Sequence, residues 1–409
     1  MNITLLKHKS LLCLTADDRK HLKELLGREM TPENYDLGID HYELTLNTAD
    51  TLYEIGMERS SILLALSSYL VRHGAMSYEE AASMFGDDVA QLHQLLKMLE
   101  EKSITMDNLT DDQFSDFIIS FVKDIRIIIH LTAFMHDLMK LLDEKDDTPV
   151  RRQVAAACRL FYAPIAHRLG LYEIKRVLED LAVKFEHPEQ YDAIVKGLKK
   201  SRTERDQYIQ DFMTPLREKI EDLGIPYEIK WRSKSINSIY AKMQRQGINL
   251  DGIYDLFALR VILDVPEKLE KAMCWAIFGL ASSLYVPNML RTKDWVGKPK
   301  ASGYESLHTT VLGPDNHWVE IQVRSKRMDE VAEHGAAAHW IYKGVKGHNN
   351  NGANEALLAI RTALENHKSV DSMIKNFSEE LYKGEMFIFD NADSLHKIPS
   401  DSRIVDYII

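Results

Sequence analysis

Through about residue 197 the chain repeats apolar positions at intervals of three and four. Leu63, Leu66 and Leu70 form one series, and Val89, Leu92, Leu95, Leu96 and Leu99 a second. Phe117, Ile118, Phe121, Ile125 and Ile128 form a third. That period gathers apolar side chains on one face of a helix, and glycine and proline seldom interrupt it, so residues 1–197 predict helices throughout. A highly charged helical pattern follows from Lys199 to Asp222. It stops at Gly224-Ile225-Pro226, which predicts a strand over 227–231. The texture then changes: the β-branched runs Phe257–Leu263, Thr309–Leu312 and Trp318–Val323 alternate with helical ones. They predict an α/β or α+β unit of about 145 residues. After Lys343 the Gly/Asn-rich tract Gly344–Gly352 predicts a loop, and helices are expected over 354–370 and 372–382. From Glu385 to Ile409 the pattern opens as a strand and a hairpin and stops too soon for a domain. The chain is therefore expected to be part of a longer protein.

Within the second unit, Lys293–Lys343 departs most from a core pattern. Period-two alternation puts Tyr304, Ser306, His308 and Thr310 on one face of a first segment. In the second segment Glu320, Gln322 and Arg324 face one way and Val319, Ile321 and Val323 the other. Such a face is either a solvated sheet surface or the seat of a polar ligand.

Composition narrows the classes. The 409 residues are 45% hydrophobic and 28% charged, enough for several packed domains. A net charge of −11 argues against broad non-specific nucleic-acid binding. Cys13, Cys158 and Cys274 are odd in number and widely spaced, so neither a disulfide framework nor a metal cluster is expected, and a reducing cytoplasmic setting fits. The apolar N-terminal patch Ile3–Leu6 is too short for a signal peptide, and no run approaches a membrane span.

Three clusters carry candidate chemistry. A helix starting near Ser235 would place Lys234, Ser238 and Lys242 on one face, at an N-terminal end whose amides favour polyphosphate; a solvated basic face is the alternative. Arg260 stands inside an apolar strand, where an unpaired guanidinium is costly, so it is a candidate ligand contact. Asp255 and Glu320 would make a Mg²⁺ site if neighbouring strands carried them. His130 and His136, on a mostly apolar helix, read as surface or satisfied core residues.

The stretches WRSKSINSIYAKM, IYDLFALRVI, RTKDWVGKPKASGYESLHTTVLGP, VEIQVRS and AEHGAAAHWIYK, in this order and spacing, resemble the synthetase domain of the RelA/SpoT homologue (long Rel) family. The resemblance covers residues 225–343. It implies a nucleotidyltransferase-like mixed sheet and Mg²⁺-dependent transfer of pyrophosphate from ATP to the 3′-hydroxyl of GDP or GTP, giving (p)ppGpp. It implies that Arg232 and Arg260 sandwich adenine and that Lys234, Ser238 and Lys242 hold the ATP phosphates. Asp255 and Glu320 would bind Mg²⁺, with Glu320 also orienting or activating the attacking hydroxyl. Tyr304 would stack on guanine, Lys300 and His308 would contact the acceptor phosphates, and Gln322, Arg324 and Lys293 would line the acceptor side. Two positions depart from the family pattern: Trp231 precedes Arg232 where the family has Gly, and Ser302 replaces an Asn. Arg291-Thr-Lys293-Asp294 is similar to the basic loop of members that also hydrolyse.

In the first unit FYAPIAHRLGLYEIKRVLEDLAVKF resembles the end of the family's all-α HD-type hydrolase domain, which holds Mn²⁺ with two histidines and two aspartates. The ligand positions fall on Leu44, Ser68, Tyr69 and Ala133, so no Mn²⁺ site is expected there. The expected organisation is a degenerate HD-type domain over 1–197, a synthetase domain over 198–345, a helical connector over 346–384 and the start of a TGS domain over 385–409. In the family, further domains bind the ribosome and uncharged tRNA. A bifunctional synthetase/hydrolase, or a nucleotide-sensing module associated with the ribosome, are the alternatives.

Overall fold

The computed structural model describes residues 8–25, 39–101, 124–145, 149–200, 202–250, 257–300, 304–314, 317–334, 385–389 and 395–399. Asp255, Ser302, the Phe117–Phe121 repeat, the Gly344–Gly352 loop and the expected helices over 354–370 and 372–382 lie outside these residues, as does the side chain of Arg232.

The first half is helical, as its period predicts. A short 3₁₀ turn (Lys9–Cys13) leads to α1 (Ala16–Leu25), α2 (His41–Glu54), α3 (Arg59–Arg72), α4 (Tyr78–Phe85) and α5 (Asp87–Glu101). Then come α6 (Ile125–Asp143), α7 (Pro149–Ala157), a π turn (Cys158–Tyr162), α8 (Ala163–Arg168), α9 (Tyr172–Glu186) and α10 (Pro188–Lys200). Local chemistry sets several starts. Asp40 caps α2 by accepting from the amides of Tyr42 and Glu43, and Ser77 with Glu80 forms a capping box on α4. One apolar core runs through these helices from Leu14 to Phe185.

The second half opens with the charged helix α11 (Arg202–Glu221), followed by β1 (Tyr227–Ser233), α12 (Ile236–Gln246) and β2 (Phe257–Leu263). After these come α13 (Glu270–Leu284), β3 (Val286–Pro287), β4 (Lys293–Asp294), β5 (Leu307–Leu312), β6 (Trp318–Ser325) and α14 (Lys326–His334). Ser235 caps α12 by accepting from the Ser238 amide, and Gly247 ends it at φ +63°, a left-handed position that costs glycine least. The sheet order is β1-β2-β6-β5-β3, with β4 also paired to β5. Only β2 and β6 run parallel among these pairs, so the sheet is mixed. Leu259, Val261, Val311, Val319, Ile321 and Val323 turn one face onto α11 and α13 in a second core. The expected alternation along β6 is thus observed. The first segment is shorter than expected: β5 begins at Leu307, so Tyr304 and Ser306 precede the strand. A separate hairpin pairs β7 (Glu385–Phe389) with β8 (Leu395–Pro399), as the end of the chain predicts.

Helix α9 joins the two halves. Ile174, Leu178, Ala182 and Phe185 sit in the helical core. Tyr172, Lys175, Arg176, Glu179 and Asp180, spaced by three and four, form another stripe, and all five line the cavities described below. A small third cluster, built on Ile194 of α10 and Ile239 of α12, closes the seam.

Candidate functional site

The free face of the sheet carries the polar residues picked out by alternation. Parallel pairing sets Ala258 of β2 against Glu320, and Arg260 against Gln322. Antiparallel pairing sets His308 of β5 against Gln322, and Thr310 against Glu320. Neighbours in register share a face, so Arg260, Glu320, Gln322 and His308 are brought together by backbone geometry alone.

Their side chains form one network. The Gln322 amide donates to Glu320 Oε1 at 2.7 Å, and His308 Nδ1 lies 3.3 Å from the same oxygen. His308 Nε2 is 2.9 Å from the Tyr304 hydroxyl, which takes a hydrogen bond from Arg324. Arg324 also donates to Ser306 Oγ at 3.1 Å, to Asp329 Oδ1 at 3.2 Å and to Gln322 Oε1 at 3.3 Å. A neutral His308 protonated at Nδ1 satisfies every partner, and burial pushes its pKa down despite Glu320. Burial raises Glu320, but the hydrogen bonds from His308 and Gln322 and the charge of Lys234 outweigh it and hold the carboxyl at about 2. Both bonds fall on Oε1; Oε2 accepts none among the described residues.

Arg260, the candidate ligand contact inside β2, has acidic partners within the fold. It is paired with Glu333 at 2.7 Å and Asp329 at 3.0 Å, both from α14. Its buried Nε has no partner among the described residues. Lys300 sits over three rings, 4.1 Å from the centroid of Trp295, 5.1 Å from Tyr304 and 5.8 Å from Tyr172. Burial, then the charges of Lys293, Arg324 and Lys175, push its pKa down to about 8.

Two adjoining cavities open along this face. The larger, about 670 Å³, is lined by Lys230, Lys234, Ser235 and Arg260 on one side and by Arg176, Asp180 and Leu198 on the other. The smaller, about 250 Å³, is lined by Ser238, Lys300, Tyr304, His308, Gln322 and Arg324 together with Tyr172, Lys175 and Glu179. Glu173, Arg176, Ser235, Arg260 and Glu333 border both. Lys242 lies further along α12 and borders neither, and Lys293 on β4 holds its ammonium 5.3 Å above Trp295. Tyr304, expected to offer its ring to a base, is only 8% exposed and packs edge-on against Tyr172 and Trp295. Stacking there requires the cage to open.

The sequence reading missed Tyr172, Lys175, Arg176 and Asp180, because a charged stripe on an amphipathic helix has the same pattern as a solvated face. It also passed over Trp295 and Lys230. Asp180 accepts from the Asn237 amide at the start of α12, at 2.8 Å, and burial pushes its carboxyl up to about 6.

In the helical half, Leu44 and Ala133 are buried in the apolar core. Ser68 donates to the Ala65 carbonyl at 2.8 Å, and Tyr69 packs edge-on against Tyr42. His136 and His130 are both buried rather than on the surface. His136 Nδ1 bonds Asp137 at 2.9 Å, whereas His130 Nδ1 has no partner among the described residues.

Comparison with known proteins gives two family matches. Residues 29–172 match a model described as HD domain, and residues 231–347 one described as region found in RelA / SpoT proteins. The chain is 32% identical over 367 residues to the guanosine-3′,5′-bis(diphosphate) 3′-pyrophosphohydrolase of Aquifex aeolicus, covering 88% of this chain and 51% of that protein. It is 31% identical over 369 residues to the GTP pyrophosphokinase of Myxococcus xanthus, covering 88% and 48%. It is 30% identical over 361 residues to the bifunctional (p)ppGpp synthase/hydrolase SpoT of Escherichia coli, covering 87% and 50%. The chain therefore spans about half the length of the curated relatives it matches.

Proposed function

Because this chain belongs to the RelA/SpoT family, we propose that it acts in (p)ppGpp metabolism and that its α/β half is a (p)ppGpp synthetase. The reaction moves the β,γ-pyrophosphoryl group of ATP to the 3′-hydroxyl of GDP or GTP. The 3′ oxygen bonds the β-phosphorus, the bond from that phosphorus to the α,β-bridging oxygen breaks, AMP leaves, and the hydroxyl proton is released to water. The observation that carries this reading is Glu320, a carboxylate kept ionised in the network that borders the acceptor cavity, with one oxygen uncommitted among the described residues.

The larger cavity takes ATP, with Arg260 against adenine and Lys234 toward its phosphates. Arg232 against adenine, and Ser238 of the smaller cavity and Lys242 beyond both toward the phosphates, are assigned on family grounds alone. The smaller takes the acceptor, with Lys300 and His308 toward the phosphates, Tyr304 toward guanine, and Gln322, Arg324 and Lys293 around them. A carboxylate held at about 2 accepts a hydrogen bond far better than a proton, so Glu320 chiefly orients the 3′-hydroxyl toward phosphorus. Glu320 Oε2 is a hard anionic oxygen of the kind Mg²⁺ takes, and Asp255 is its proposed partner ligand. When bound, the metal supplies charge neutralisation on the phosphates. Most of the remaining catalysis is positioning by this chain's own groups.

The helical half is proposed to be a degenerate hydrolase with a structural or regulatory role, since Leu44 and Ala133 have no donor atom for a metal. The three free cysteines fit a reducing cytoplasm. No helix among the described residues is long and apolar enough to cross a membrane. Ribosome and uncharged tRNA are proposed partners on family grounds alone. The test is direct: with ATP, GDP or GTP and Mg²⁺, the protein is expected to form the 3′-pyrophosphorylated nucleotide and AMP. If none forms, even with stalled ribosomes present, the synthetase reading fails. The pyrophosphohydrolase names of several relatives favour a second, bifunctional reading. Manganese-dependent pyrophosphate release from ppGpp decides for it.

A further inference from the structure

The smaller cavity is walled by both halves of the chain. On the sheet side stand Lys300, His308 and Arg324; on the other, Tyr172 and Lys175 project from the first turn of α9. The charges do not balance locally. Lys300 has no carboxylate partner among the described residues, and its ammonium rests on aromatic rings, one of them Tyr172. Lys175 approaches from the opposite wall closely enough for its charge to depress both Lys300 and His167. Its ammonium is held 2.6 Å from Glu179, one turn along the same helix, which fixes a long flexible side chain at the rim. Among the described residues Lys175, Arg176, Arg260, Lys300 and Arg324 border this cavity against the carboxylates of Glu173, Glu179 and Glu333, and such an excess of positive charge in one concave space favours a polyanion.

We propose that α9 completes the acceptor site, with Lys175 as a direct contact of the acceptor's 5′-polyphosphate and Tyr172 as the wall that positions Tyr304 and Lys300. The inference rests on the synthetase reading for the identity of the acceptor. It goes beyond that reading by making the helical half part of the substrate site. The lysine is placed to weigh the number of acceptor phosphates, because it faces Lys300 across the cavity. Lys300 on the loop before β5 and His308 on β5 take the phosphates from the sheet side. A longer polyphosphate chain reaches further toward α9, so Lys175 matters more for GTP than for GDP. Tyr172 meets Tyr304 edge-on, with centroids 5.2 Å apart at 76°, and so limits how far the Tyr304 ring swings when the cage opens.

The experiment uses the full chain and follows binding and turnover separately. Calorimetry gives the Kd of GDP, GTP and ATP for the wild type, Lys175→Gln, Lys175→Arg and Tyr172→Ala, and steady-state assays give KM and kcat for each substrate. Lys175→Gln is expected to raise the acceptor Kd and KM by about tenfold, more for GTP than for GDP, as for loss of a charged hydrogen bond. The Kd for ATP is expected to stay within about twofold, since Lys175 borders the smaller cavity and not the larger. Lys175→Arg, which keeps the charge, is expected to restore most of the affinity. Tyr172→Ala is expected to weaken both acceptors alike. Acceptor affinities unchanged in Lys175→Gln overturn the proposal. So does an equal loss for ATP and acceptor, which would mark Lys175 as a contact that merely docks the halves. A wild type that binds GDP but makes no product defeats the synthetase reading instead, and the Kd comparison still decides the role of Lys175.

Discussion

In the helical half, His93 and His130 lie in apolar surroundings, and burial pushes their pKa values down to about 4 and about 3. Both imidazoles are therefore neutral, and among the described residues His93 Nε2 has only Ser67 Oγ, at 2.7 Å. In the α/β half, Glu320 is half-buried, its side chain 38% exposed, and it stays ionised because His308, Gln322 and Lys234 offset what burial costs it. Lys300 keeps its proton to about 8 despite burial and three cationic neighbours. Burial by itself discharges a group. Holding a charge under burial takes a set of converging partners, and such a set is worth assembling where a charged substrate is to be held. The helical half does this too at Asp18, 1% exposed and kept ionised by Arg59 and Thr15; what sets the sheet face apart is that its charged set borders a cavity.

The sharpest way to break that contrast is a pair of substitutions. Glu320→Gln keeps the shape and removes the charge. It is expected to lower synthesis by at least about a hundredfold, while ATP Kd hardly moves and the urea midpoint falls only modestly, because the ionised carboxylate's bonds to His308 and Gln322 are weakened. Leu44→Ala, in the core where a metal ligand is absent, is expected to do the reverse. It should cost about 3 kcal/mol of stability through the cavity it leaves, with unchanged kcat per folded molecule. An active Glu320→Gln enzyme would refute the role of that carboxylate. Loss of turnover in a still-folded Leu44→Ala protein would show that the helical half acts on the chemistry.

A smaller effect is expected from pH. Lys300 binds phosphate only when protonated, and the groups facing it include Lys293 on β4, Arg324 on β6 and Lys175 on α9. As pH rises through about 8, Lys300 in the free enzyme loses its proton, so kcat/KM for the acceptor falls. A several-fold loss between about pH 7 and about pH 9 is expected, and Lys300→Arg should flatten the profile because a guanidinium stays charged. A wild-type profile that is already flat removes Lys300 from the acceptor contacts.

Much of this arrangement was legible in the chain, for identifiable reasons. The alternation along β6 sends Val319, Ile321 and Val323 into the core and Glu320, Gln322 and Arg324 to the other face, although Gln322 and Arg324 are buried there too. Ser235 as a cap and Gly247 as a stop bound α12 as the sequence implies. Tyr304 was harder, because alternation runs through Glu305 and Ser306 although the strand starts only at Leu307. What holds Tyr304 is a hydrogen bond and ring contacts, which period does not encode. Helix α9 was not legible as part of the site at all. Its charged stripe from Tyr172 to Asp180 is what any solvated helix face shows, and only the packing of the two halves turns it inward.

Asp180, on the seam, tests which side of the contrast the joint belongs to. Its oxygen accepts from the Asn237 amide at the N-terminal end of α12, where a carboxylate is ordinarily favoured. Burial nevertheless dominates and raises its pKa to about 6 from 3.8. The folded state then holds the proton more tightly than the unfolded one, so stability falls as pH rises from about 4 to about 6 and the loss persists above that. Asp180→Asn keeps an oxygen for Asn237 and removes the charge. It is expected to be more stable than the wild type by about 1 kcal/mol at about pH 8, with the difference vanishing near about pH 4. Urea melts at the two pH values read this directly. If the variant is instead less stable at the higher pH, the α12 amides more than compensate the burial of this carboxylate. The seam would then hold its charge as Glu320 does, and Asp180 would belong with the charge-holding sheet face rather than with His93 and His130.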